Sequence, residues 1–124
     1  MARVSNSLKT WFVIHFVVDY LFGIPLLLFP QWTLSLFGFA AVETLTARLV
    51  GAALIGIGGI SLFARNEGKE SYNSLLTLKL IWSSAAILAI LLTIIEGAPV
   101  LSWLILLIFV IFNVIWIYYK QKLR

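Results

Sequence analysis

The chain predicts an all-α, polytopic membrane protein: four transmembrane helices in an up-down bundle, with a short interfacial helix between the first two. Three observations carry this reading. Of the 124 residues, 62% are hydrophobic and only 11% charged, with a mean hydropathy of +1.06, against about 25% charged in soluble domains. The apolar residues gather into four runs, each about as long as the roughly 20 residues needed to cross a hydrocarbon core. None of the runs alternates, and in lipid only helices or closed barrels satisfy every backbone N–H and C=O, so the runs are helices. Residues 1–124 then form a single transmembrane domain with nothing left over for a soluble one.

The first run, Trp11 to Phe29, follows Arg3 and Lys9 and so resembles a secretory leader. It is longer than a leader's apolar core and contains Asp19 and Pro25, so it is expected to be a retained helix. In PQWTLSLFGFAAVE, Pro30 to Glu43, a proline stands where a new turn begins and Trp32 suits the headgroup layer. This segment reads as a short helix or re-entrant turn, with a plain loop as the alternative. The second helix is expected over about Thr44 to Ala64, the third over Ser74 to Ile95 and the fourth over Pro99 to Tyr119. ARNEGKESYN, Ala64 to Asn73, is the polar loop, and EGAP, Glu96 to Pro99, is tight enough to make the last two helices antiparallel neighbours.

Arg3, Lys9, Arg65, Lys69, Lys120, Lys122 and Arg124 fall in the tails and the polar loop, while residues 29–44 and 96–101 hold no Lys or Arg. The positive-inside rule places both termini in the cytoplasm of a multi-pass protein of the cytoplasmic membrane. This asymmetry argues against the small multidrug transporters that insert in both orientations.

At 100° per residue each helix carries one polar stripe. The rows are His15, Asp19, Phe22 and Leu26; Arg48, Ala52, Ile55 and Gly59; Lys79, Ser83, Ala86, Ile90, Thr93 and Gly97; and Ser102, Leu106, Phe109, Asn113, Ile117 and Lys120. A charge turned to lipid costs about 2.5 to 3.5 kcal/mol or more, so the stripes are expected to face inward. Gly51, Ala52, Gly56 and Gly59 make the second helix a close-packing post. Depth sorts the polar groups into an inner set, with Asp19 expected to pair with Lys79 assisted by His15 or Asn113, and an outer set, with Arg48 expected to pair with Glu96 or Glu43 at the rim. His15, Asp19, Arg48, Lys79, Ser83 and Asn113 are the candidate ligand or proton site. Structural pairing alone is the competing account.

Other chemistry is excluded by what the chain lacks. It has no cysteine and one histidine, which removes disulfides, thiolate centres, bis-histidine haem and multi-histidine zinc, so no cofactor or metal is expected. The basic residues make no face interleaved with aromatics, so nucleic acid is not an expected partner. The His15 and Asp19 pair has no nucleophile in reach, as Ser83 and Ser84 stand on another helix without a motif, so no enzyme is expected. Trp11, Trp32, Trp116, Tyr118 and Tyr119 read as the aromatic belt, while Phe12, Phe16, Phe22, Phe109 and Phe112 read as core or as an apolar pocket.

TARLVGAALIGIGGISLFARNE, with an arginine opening a glycine-rich helix that closes on basic residues, together with LFP at Leu28 to Pro30 and the following LSLFGF, resembles small four-helix membrane proteins of the DoxX-like and DUF4345-like group. The resemblance covers about residues 20–68. It implies a compact four-helix bundle and, in some relatives, association with respiratory or sulfur-oxidising enzymes; it carries over no catalytic residue. The expected function is a non-enzymatic membrane module that binds a small amphiphile, lipid or partner helix. The alternatives are a small solute or proton-coupled transporter with Asp19 as titrating carboxylate, for which a homodimer is expected, and an accessory subunit of a membrane enzyme.

Overall fold

The computed structural model describes residues 4–40 and 42–123; Arg3 and Arg124, counted above among the basic flanks, lie outside them. The protein is all-helical, and among the described residues four helices are long and apolar enough to cross a membrane. The first, α1, spans Asn6–Leu28. It begins five residues before the apolar run because the Ser5 side chain accepts from Leu8 N at 3.2 Å, filling one of the donors left open at a helix start. It continues through Pro25, whose carbonyl accepts from Phe29 N at 2.7 Å. Pro30 then opens α2, Pro30–Ser35, at the position where a missing N–H costs nothing. The short helix expected here is present.

The second long helix, α3, spans Thr44–Phe63, one residue short of expectation. Helix α4 spans Lys69–Gly97, so the polar loop expected over residues 64–73 is confined to 64–68. The polar turn after Gly68 is helical, with Glu70 at the positive end of the helix dipole. At 1.5 Å per residue its 29 residues measure about 43 Å, longer than a hydrocarbon core of about 30 Å. Gly97 ends it at φ +104°, a left-handed conformation that favours glycine. Residues 99–101 form a turn in which Pro99 O accepts from Ser102 N at 2.9 Å, so α5 spans Ser102–Leu123 and not 99–119.

The described residues divide into two compact units, one up to Gly68 and one from Lys69. In the first, α1 and α3 run antiparallel at close range: Gly51 lies against Gly23 O and Leu27 N, and Gly58 against Asp19. The buried row of α1 is Leu8, Phe12, His15, Asp19, Gly23 and Leu26, spaced three and four apart. That of α3 is Ala47, Gly51, Leu54, Gly58 and Ser61, with Gly59 beside it. The row expected on α3, starting from Arg48 and Ala52, is therefore one residue out of phase. Small residues that admit a neighbouring backbone set the packed face, and the charge does not.

In the second unit α4 and α5 are antiparallel, as the short EGAP connection requires, with Ser83 beside Asn113 and Lys79 beside Trp116. Tyr72, Leu76, Lys79 and Ser83 are the buried residues of α4. Thr93 and Gly97, expected on its polar stripe, are exposed, as is Ile117 of α5. Exposed apolar side chains of both helices, Leu88, Leu92, Leu104, Leu107 and Val114 among them, suit acyl chains.

Candidate functional site

The site on α1 is built by a four-residue spacing. His15 and Asp19 stand one turn apart, and Nε2 of His15 lies 3.3 Å from Oδ1 of Asp19, with both side chains buried. What admits the carboxyl group is an absence on α3. A Cβ at Gly58 would lie 2.6 Å from Asp19 Cβ and 3.2 Å from its Oδ2, so only glycine lets the acid sit against the helix backbone. Tyr20, the next residue, uses Gly59 in the same way: its hydroxyl would lie 2.9 Å from a Cβ there. The ring of Tyr20 also packs on Phe16, with centroids 4.5 Å apart.

The second unit holds a polar ladder between α4 and α5. Asn113 Nδ2 donates to Ser83 Oγ at 2.8 Å and to Ser84 Oγ at 3.1 Å. About one turn along α5, the ring of Trp116 faces the amine of Lys79, whose nitrogen is 5.0 Å from the ring centroid; Lys79 and Trp116 are each only 1% exposed. A cation over an indole face is an attraction that strengthens as water is removed. At the next step Lys120 Nζ donates to Asn73 Oδ1 at 2.6 Å, to Asn73 O at 3.3 Å and to Thr77 Oγ1 at 2.8 Å. Ser102 Oγ, near the other end of α5, is buried without a hydrogen bond among the described residues.

Of the expected site residues, the structure joins His15 to Asp19 in one unit, and Ser83 to Asn113, with Lys79 on the same face of α4 as Ser83, in the other. The expected pairing of Asp19 with Lys79 joins residues of different units. Arg48 is exposed and, within its own unit, donates Nε to Leu27 O at 3.0 Å. Glu43, expected as its partner, is taken by α3: it accepts from Leu45 N at 2.9 Å, from Thr46 N at 2.6 Å and from the Thr46 hydroxyl. These bonds, the Thr46 hydroxyl first, hold the Glu43 carboxyl below its ordinary pKa. Glu96 is exposed near the end of α4. Among the expected packing residues, Gly51 and Gly59 meet α1, whereas Ala52 is exposed and a Cβ at Gly56 would meet nothing within 4 Å.

Three contributors are absent from the expected site. Gly23 and Gly58 supply the room, and the spacing Gly51 to Gly58, seven residues on one helical face, was the available signal. Trp116 was assigned to the aromatic belt but is buried against Lys79, and Tyr119 of the same assignment is buried too, whereas Trp32 and Tyr118 are exposed. No family model, curated protein or solved structure matches the chain.

Proposed function

We propose that this protein is a non-enzymatic membrane module that binds a small amphiphile, lipid or partner helix through its buried polar stripes. The observation that supports this best is the His15 and Asp19 pair, buried within a helix apolar enough to cross a membrane. Ionisable residues in such segments are costly, and they mark binding or relay sites more often than chance. In this reading the α1 pair receives the ligand's polar head. A dodecylamine titration of the protein in nanodiscs, followed by tryptophan emission, tests this. Saturable binding that is lost in Asp19→Asn and kept in Ser84→Ala is expected, and equal binding by Asp19→Asn refutes it.

The same pair favours a second reading, a small solute or proton-coupled transporter in which Asp19 titrates and His15 modulates it. In liposomes Asp19→Asn then abolishes pH-dependent uptake, and unchanged flux excludes transport. The proposed setting is the cytoplasmic membrane with both termini inside. Kinship with the DoxX-like group, and with it an accessory role, belongs to the proposal too, and co-purification of a large membrane enzyme is its test.

A further inference from the structure

Arg48 stands on the exposed face of α3, between the exposed Leu45 and Leu49, in a helix long and apolar enough to cross a membrane. Guanidinium is the cation of choice for pairing with phosphate or carboxylate, and here it stands beside the exposed apolar side chains of Leu45 and Leu49. The obvious local counter-ion is unavailable, because Glu43 spends its carboxylate on the amides of Leu45 and Thr46 and on the Thr46 hydroxyl. Arg48 makes one hydrogen bond among the described residues, from Nε to Leu27 O. Leu27 lies in the last turn of α1, where carbonyls lack helical donors and carry the negative end of the helix dipole.

That single bond has a geometric consequence. It engages Nε and leaves the edge formed by the two terminal nitrogens as an unused fork. Such a fork matches two oxygens of a phosphate or carboxylate. Depth selects between anions. Arg48 is the fifth residue of α3, about 6 Å along the axis from its first, a distance its long side chain spans by snorkelling to the headgroup layer. The residues that follow Leu27, namely Leu28, Phe29 and Trp32, are also exposed and apolar, as acyl chains and an interface require.

We propose that Arg48, oriented by the Leu27 carbonyl, binds the phosphodiester of a membrane phospholipid. The proposal rests on the binding reading above in naming one ligand class, but uses none of the buried residues of α1, α4 or α5. The test is thermal unfolding of the delipidated protein in detergent, with dioleoylphosphatidylglycerol, the phosphate-free monogalactosyldiacylglycerol, or inorganic phosphate added in turn. The phospholipid is expected to raise the melting temperature of the wild type and of Asp19→Asn, the galactolipid and inorganic phosphate not. The rise is expected to be abolished in Arg48→Gln and reduced in Arg48→Lys, which keeps the charge and loses the fork. An equal rise with the galactolipid, or with inorganic phosphate, overturns the lipid-phosphate assignment. Because Arg48→Gln also removes the bond to Leu27, a second measurement uses a chain in which Arg48 is the sole arginine, the other three being lysine. Dephasing of its guanidinium 15N signal by lipid 31P is expected in a bilayer, and its absence overturns the proposal. Failure of dodecylamine binding with retention of these effects would remove the central site and leave this one standing.

Discussion

At the scale of single residues, Arg48, Arg65 and Glu43 each bond backbone groups at helix ends. Arg48 and Arg65 both donate to carbonyls near helix ends, Leu27 O and Leu62 O, and Glu43 caps the helix it precedes. A charge is visible in sequence, but a backbone carbonyl with a spare lone pair is not, which is why Arg48 was matched to a glutamate. Trp116 was misassigned for a related reason: α5 continues to Leu123, so a residue read as three positions from the helix end lies two turns inside it. The cap makes a pH prediction. The Glu43 carboxyl is lowered from its ordinary 4.5 by the Thr46 hydroxyl and the amides of Thr46 and Leu45. A lowered pKa means that the folded helix favours the carboxylate, so the contribution is complete above pH 4.5 and is lost as pH falls through the lowered value. Amide protection at Leu45 and Thr46 is expected to fall in that acid window and to be flat across it in Glu43→Gln. A Glu43→Gln variant with the wild-type pH profile would show that some other group governs the end of α3.

At the scale of elements, α1 and α3 are held by the absence of side chains. The glycine-rich stretch was recognisable as a packing helix, and the four apolar runs as helices, because length and composition decide both. Its rotational phase was not recognisable, since Gly51, Gly56, Gly58 and Gly59 spread over an arc of about 160° and only contact with α1 separates them. The two kinds of glycine give a paired prediction. A methyl at Gly58 would come within 2.6 Å of Asp19 Cβ, whereas one at Gly56 would meet nothing. Overpacking of a close contact costs about 1 to 3 kcal/mol, so Gly58→Ala is expected to lower stability by that order. Gly56→Ala, which raises helix propensity on an exposed face, is expected to be neutral or stabilising by up to about 1 kcal/mol. Reversible unfolding in mixed micelles measures both, and equal costs for the two would mean that the helices meet on a different face.

At the scale of the whole molecule, the number of spans was legible and the extent of each was not, because hydropathy marks the part of a helix that lies in lipid and says nothing of the turns that extend beyond it. Helix α4 is the clearest case: Lys69 to Asn73 reads as polar loop yet is helical. Four helices are long and apolar enough to cross, and the proposed topology has both termini on one face of the membrane, with charge deciding which. In the proposed topology Lys9, Arg65, Lys69, Lys120 and Lys122 flank the spans on one side, whereas residues 29–44 and 96–101, proposed for the other, hold no Lys or Arg. Arg48 and Lys79 lie within spans and are not counted in this balance. Since the chain has no cysteine, single cysteines at the exposed positions Asn66 and Gln121, and at Ser35 and Val100, report the topology without a background. An impermeant maleimide applied to intact cells is expected to label the latter two and to reach the former two only after lysis. Labelling of Asn66→Cys from outside would reverse the orientation, and labelling of all four would mean that the chain inserts both ways. In the second case the five flanking cations would be too few to set direction, and the paired insertion typical of dual-topology transporters would return as the better account of this fold.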